Sequence, residues 1–353
     1  MAESKNHHYV PQFYFRRFSK DGKNINALLR PNGRLIDGAP IRGQASKAWF
    51  YGTAERERAL SKIEGHCSAA LRTLSELPSD AALDEASYHG VLTHLVLQRA
   101  RTQSARESTM PFHNRLAQLF LEAELAKNIS MTSEKRELMM QALPFLELDP
   151  AQVQTMEMGV AMESVDILAD LRVLLLDNKT NRPFAFGDAP VVLYNPYCRD
   201  VTLRSVLGYA KPGLMVLMPL DSRTYIALID DEVYDVRGAK NARIALRELS
   251  DVAALNKLQI HAASHCVYFE DTAFRDYVHC LWQMERYKLT NHSGKVVEAP
   301  GFSVETGESL GDIVHGFTPQ LNFRPLFSFL KHPILGDADA RQHRRASFES
   351  YAR

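Results

Sequence analysis

The hydrophobic periodicity of this chain changes near residue 171, and that change limits its fold more than any other feature. Before it, apolar residues recur at helical spacing. Leu60, Ile63, Cys67, Ala70, Leu71 and Leu74 mark a helix over residues 54–77, which Pro78 ends. Asp84 can cap a second helix carrying Val91, Leu92, Leu95 and Val96, running to about residue 108. Another helix is expected after Pro111, another over 132–143, and one opening at Pro150. After the change come short β-type runs: "RVLLLDN", "PFAFGD", "PVVLYNP", "GLMVLMPL" and "TYIALID", punctuated by Asn, Pro, Gly and Asp. They read as an antiparallel meander. Helix is expected again over about 239–264, then the strand "CVYFE" and a helix at "FRDYVHCLWQMERY".

Helices followed by strands predict an α+β fold, a helical N-terminal half packed on a mostly antiparallel sheet from the second half. The expected unit is a single domain over 1–330, with its helical part at 54–170 and its β-rich part at 171–270. Two smaller elements precede the helices: a short helix in "PQFYFRRFS" and a hairpin in "INALLRPNGRLIDG" around Pro31-Asn32-Gly33. The stretch after Gly294 reads as irregular, and 331–353 as an exposed tail. Six of eleven methionines fall between Met131 and Met162, a cluster read as adaptable core packing rather than a binding surface.

A formal net charge of zero gives no global pull on nucleic acid or anionic membrane. Its distribution is uneven: residues 1–50 hold nine Lys/Arg against three Asp/Glu, and residues 137–170 hold seven acids with no Lys or Arg. A local basic surface therefore stays open. Cys67, Cys198, Cys266 and Cys280 lie far apart without a C-x-x-C, which fits reduced thiols. The start "MAESKNHHYV" lacks a signal-peptide core, and no run approaches the roughly 18 apolar residues of a membrane span. The expectation is a cytoplasmic protein without a membrane partner.

The residues that could carry chemistry begin with His7 and His8, imidazoles suited to general-base or metal-ligand work. Tyr9, Val10, Phe13, Tyr14, Phe15 and Phe18 follow at once, so this segment must pack against something. His94, Gln98 and Arg101 stand at i, i+4 and i+7, on one helical face that could wall a polar cleft. Arginine offers a planar fork for carboxylate or phosphate. Glu57 and Glu64 are seven apart and share a face; Glu64 could pair with an arginine or help bind a metal. Asp188 sits at a turn between strands, where it could bond backbone amides or act as a catalytic carboxylate. His261 and His265 have metal-ligand spacing, but Ala262 stands where a zincin has glutamate. Walker A, G-x-G-x-x-G and G-x-S-x-G patterns are absent.

"HHYVPQFYFRRFS" is similar to the N-terminal signature of a bacterial family of unknown function, in which His-His-Tyr-Val-Pro-Gln-Phe-Tyr precedes an aliphatic residue, an arginine and a phenylalanine. "LQRARTQSAR" resembles that family's Gln-x-x-Arg-Thr helix. "FAFGDAPVVLYNP" resembles its Ser-Asp-Asn-Pro turn, with Gly187 and Ala189 in place of the serine and asparagine. "MPLDSRTYIAL" resembles its Pro-Leu segment. The likeness spans residues 7 to about 270. It supplies no activity, but implies that Gln12, Gln98, Arg101 and Asp188 share a site with His7 and His8.

Three functions are expected from these residues. The first is a hydrolase of a phosphodiester or nucleotide-type substrate, with His7, His8, Arg101 and Asp188 catalytic and Gln12, His94 and Gln98 binding substrate. A divalent metal on His8 and Glu64 is an open option, and nucleic acid or a nucleotide the partner. The second is a non-catalytic module that binds or senses a small anion, nucleotide or peptide. The third is a structural or protein-interaction role, with the N-terminal segment as an internal plug.

Overall fold

The computed structural model describes residues 5–78, 81–128, 130–198, 206–236, 243–303 and 306–331. It is a mixed α+β molecule. The expected tail lies, apart from Lys331, outside the described residues.

The N-terminal segment forms β1 (Asn6–His8) and α1 (Gln12–Arg16), followed by the hairpin β2 (Asn24–Leu29) and β3 (Leu35–Pro40). β4 (Ser46–Ala48) pairs with β1. The helices are α2 (Ala54–Glu76), α3 (Glu85–Ala100), α4 (Gln103–Lys127), α5 (Ser133–Ala142) and α6 (Pro150–Glu163). The Asp84 side chain accepts from the Ser87 N–H, the expected cap of α3.

Two sheets organise the rest; β10 (Asp235–Val236) lies in neither and pairs with β15 (Leu330–Lys331). One has five strands, β5 (Arg172–Asn178), β7 (Val192–Tyr194), β8 (Met215–Pro219), β9 (Thr224–Ile229) and β11 (Arg243–Leu246), ordered β11-β5-β9-β8-β7. Its pairings are antiparallel except β11 with β5, which is parallel. Both faces are covered. Leu175, Ile226 and Leu228 join a core with α3 residues Val91, Leu92 and Leu95. Their neighbours Leu174, Leu176, Ala227 and Ile229 point the other way, onto Val252, Leu255 and Leu258 of α7 (Leu249–Ala262). That explains why these strands are apolar throughout rather than alternating.

The other sheet, β3-β2-β12-β6, joins the N-terminal hairpin to β6 (Phe186–Gly187) and β12 (Cys266–Phe269). Leu28, Val267 and Phe269 pack under α8 (Arg275–Glu285), while Phe15 and Phe18 of the N-terminal segment meet Phe186 and Tyr268 at ring separations of 4.5–5.2 Å. The Tyr14 hydroxyl donates to the Pro219 carbonyl. Tyr9, Val10, Tyr14, Phe15 and Phe18 of the N-terminal segment are thus part of the core.

Several expectations need correction. The second helix breaks at Thr102, whose hydroxyl accepts from the Ala105 N–H, and α4 then runs unbroken through Pro111. Proline leaves the Glu107 carbonyl without its helical donor; the Gly294 N–H supplies one at 3.1 Å. "PFAFGD" does not enter the expected meander but pairs with β12. The expected helix at 239–264 is β11 followed by α7; residues 239–242 lie outside the described residues. The stretch after Gly294 is not irregular: it forms the hairpin β13 (Lys295–Phe302) and β14 (Ser309–Phe317), which packs on α4. Of the clustered methionines Met158 is buried, while Met139, Met140 and Met156 are exposed, so core packing does not account for the cluster.

Candidate functional site

The site begins with why the N-terminal segment turns inward. β1 has one short partner, and the chain then presents five large apolar side chains in ten residues, Tyr9, Val10, Tyr14, Phe15 and Phe18, all buried. Burying each contributes roughly 1.5–3 kcal/mol, but it also takes the backbone carbonyls of His8 and Tyr9 out of water. Gln98 of α3, Arg101 just after it, and Tyr51 meet that need.

Arg101 is the central residue. Its side chain is 1% exposed, yet it carries a charge. Nη2 donates to the His8 carbonyl at 2.6 Å, Nη1 to Glu64 Oε1 at 2.6 Å, and Nε to the Tyr51 hydroxyl at 2.9 Å. Burial works against the guanidinium's charge, but Tyr51 and Glu64 outweigh it and hold the group protonated. Tyr51 in turn donates to the His8 carbonyl at 3.2 Å, and burial pushes its phenol up to about 12. One turn earlier, Gln98 Nε2 donates to the Tyr9 carbonyl at 2.9 Å, while its buried Oε1 has no partner.

The expected cleft wall of His94, Gln98 and Arg101 is therefore occupied by the protein's own first residues. His94 is 3% exposed and lies against the rings of Phe13 and Tyr14; burial pushes it down to about 3, so it is neutral. A substrate cannot reach it. His7 is fully buried: Nδ1 accepts from the Tyr51 N–H at 3.1 Å, and the ring stacks on Tyr51 and meets Trp49 edge-on. The loop that cradles it holds Ala45 at φ 43° and Trp49 at φ 54°, a left-handed backbone that non-glycine residues adopt at a cost. For His7, His94, Gln98 and Arg101 the geometry gives structural roles.

His8 faces the other way and is half-exposed. Its Nε2–H donates to the Arg42 carbonyl at 3.0 Å, which places the proton there and leaves Nδ1 as the basic nitrogen. Gln12 Nε2 lies 3.5 Å from the ring, and Gln12 Oε1 accepts from Arg16. Burial lowers the imidazole's pKa, partly opposed by the Arg42 carbonyl and Glu64. The His8 N–H reaches Glu57 Oε1 at 3.5 Å, while the buried Glu57 Oε2 has no partner. Burial raises the Glu57 carboxyl's pKa, and nearby Arg101 opposes this. Glu57 and Glu64 share the predicted face of α2, and Arg101 acts on both.

The structure thus brings together His8, Gln12, Glu57, Glu64 and Arg101 from the residues singled out in the sequence, and adds Tyr51. Asp188 does not join them. Its oxygens accept from the Ser264 and His265 N–H groups at 2.7 and 2.9 Å, closing the turn between α7 and β12. Burial raises its carboxyl's pKa, and those two donors offset part of the rise. Of the two partners open to Glu64, an arginine or a metal, the structure gives it the arginine, Arg101. Among the described residues no group of three or more His, Cys, Asp or Glu is placed to hold a metal ion. His261 is not a metal ligand candidate either: Thr290 and Glu285 occupy its two nitrogens, each at 3.2 Å. Among the described residues, no helix is long and apolar enough to cross a membrane.

Comparison with curated proteins and with solved structures found no match. A family model described as "Protein of unknown function (DUF4238)" matches residues 6–273, from the strand that carries the two histidines to the turn after β12. That span is more than half of the chain and contains every residue of the cluster: the protein belongs to the DUF4238 family.

Proposed function

We propose that this protein is a hydrolase of phosphodiester or nucleotide-type substrates, working by acid–base chemistry where His8 and Glu57 meet at the protein surface. The observation that carries the reading is Glu57: one oxygen faces the His8 amide, and the other is buried without a partner. A carboxyl in that state has a pKa raised toward the range of a general acid. His8, with its pKa lowered, is a neutral base near pH 7. In this reading His8 Nδ1 takes a proton from water, the water oxygen attacks phosphorus, and the P–O bond to the leaving group breaks. Glu57 delivers its proton to the departing oxygen. Glu64 is compensated by Arg101, and burial raises the Glu57 pKa, so the pair repels an anion less than two free carboxylates would. Exposed Arg16 and Arg42, bonded to Gln12 and His8, give the rim positive charge. Arg101 touches no substrate here; it positions His8.

A cytoplasmic setting belongs to the same proposal, supported by four free cysteines; a bacterial one rests on the likeness of the N-terminal signature. A structural role, with the N-terminal segment as an internal plug, is favoured by the commitment of Arg101 and Gln98 to backbone carbonyls; a non-catalytic binding module is the remaining reading.

The test is an assay of RNA, DNA, nucleotides and model phosphodiesters with the wild-type protein, His8→Ala and Glu57→Gln. Turnover by wild type that both variants lose, with their folds intact by circular dichroism, supports the hydrolase. Absence of wild-type turnover on every substrate overturns it, and thermal stabilisation by a nucleotide without product supports the binding module.

A further inference from the structure

The junction between α3 and α4 has two sides. One holds the N-terminal segment through Gln98 and Arg101. The other walls a separate cavity of about 60 Å³. Its opposite wall is the segment 189–193 leading into β7, so the two stretches "LQRARTQSAR" and "FAFGDAPVVLYNP" face each other across it. Ala262 and the residues around His292 and Leu321 complete the lining.

The lining is divided by chemistry. Arg99, Ser104, Ser108 and His292 supply the polar part, and Val191, Leu193 and Leu321 the apolar part. Arg99 bonds the phenol of Tyr209, which uses part of its donor fork and fixes its position. His292 donates from Nε2 to the Ala263 carbonyl at 2.9 Å, leaving Nδ1 as an acceptor. Ser108 donates its hydroxyl proton to Ala105 and Ser104 shares one with Thr102. The acids nearby are accounted for: Glu107 is bonded by the Gln103 side chain, and Asp188, next to Ala189, is held by two backbone N–H groups.

We propose that this cavity is a binding site for a small aliphatic carboxylate, its head on Arg99 and its short chain against Val191, Leu193 and Leu321. A guanidinium matches a carboxylate's two oxygens, and an apolar wall with a few convergent polar groups is the usual build of a small-ligand pocket. The volume admits a short chain only. The site is distinct from the His8–Glu57 cluster and does not depend on the hydrolase reading.

The experiment is a titration of the full chain with acetate, propionate, butyrate and inorganic phosphate. It is followed by calorimetry and by the ring-proton NMR signals of His292, identified by their loss in His292→Gln. Saturable binding of propionate or butyrate that shifts the His292 signals and weakens about tenfold or more in Arg99→Gln supports the site. Ala262→Leu, which fills the cavity from its apolar side, should abolish binding without altering Arg99. Saturable binding of phosphate alone would overturn the carboxylate assignment. No saturable binding by the wild-type protein, or binding unchanged in both variants, would overturn the site itself. Activity on phosphodiesters should not differ between wild type and Arg99→Gln, which separates this outcome from the fate of the hydrolase proposal.

Discussion

Arg101 donates to the backbone carbonyl of His8, 93 positions earlier in the chain, at 2.6 Å. An arginine expected to stabilise a substrate's charge is spent on the protein's own first strand. The gain is orientation: with its carbonyl fixed by Arg101 and Tyr51, His8 presents its ring outward while His7 is locked inside.

Arg101→Met should therefore unfold the N-terminal segment before the rest. It leaves the His8 carbonyl short of a donor and Glu64 unpaired, and breaking a buried pair costs about 3–5 kcal/mol. Glu64 reaches solvent, so the lower end is expected. Chemical denaturation would measure the loss, and limited proteolysis should cut within residues 5–20 in the variant only.

Glu57→Gln should separate stability from activity. The folded-state pKa of Glu57 lies above its unfolded value, so between the two the native state holds more protons and stability falls as pH rises. Glutamine removes that penalty. The variant should be at least as stable as wild type at pH 7 by thermal melt, while turnover drops about 100-fold or more. Equal turnover would remove Glu57 from the mechanism.

His94 makes the fold acid-sensitive. Its folded value near 3 lies below the unfolded value of about 6.5. Between these the unfolded chain binds the extra proton, so stability is full above pH 6.5 and falls as pH drops toward 3. His8, His261 and His292 shift the same way. His94→Leu should flatten the pH dependence of unfolding free energy in that window by a few kcal/mol. An unchanged slope would show that the other histidines dominate.

Gly294 and Pro111 should behave as a coupled pair. A Cβ at Gly294 would run into the Ser108 carbonyl and displace the N–H that serves Glu107. Gly294→Val is expected to cost about 1–3 kcal/mol, the range for a buried acceptor left unpaired. Adding Pro111→Ala, which restores a helical donor to Glu107, should recover part of it. A double-mutant cycle with no coupling energy would refute the link.

What the sequence disclosed follows from how local each signal is. Asp84 and its helix were legible because cap and periodicity lie within one element. The hairpin β2–β3 was legible from Asn32-Gly33 between two apolar runs. The course of α4 through Pro111 was not, because the donor that makes it tolerable is Gly294, 183 positions later. β11 reads as helix in the sequence because its parallel partner β5 lies 68 positions away, Arg243 opposite Leu175. In the site, spacing put Glu57 with Glu64 and His94 with Gln98 and Arg101, and the N-terminal signature brought His8 and Gln12 in. Spacing could not say that the arginine's face would be covered by the protein's own backbone. Tyr51 carried no signal at all, since its bridge between Arg101 and His8 exists only in the folded chain. Asp188 was misplaced because a carboxylate closing a distant turn and a catalytic one look alike in a sequence.

β2 takes its place beside β12, so Leu29 waits for Cys266, 237 positions later. During synthesis at roughly 5–20 residues per second, the aromatic opening of the chain emerges on the order of 12–50 s before the strand that shelters it exists. For that interval the nascent protein shows the ribosome exit its stickiest surface, and its newborn form should be a client of whatever chaperone waits there.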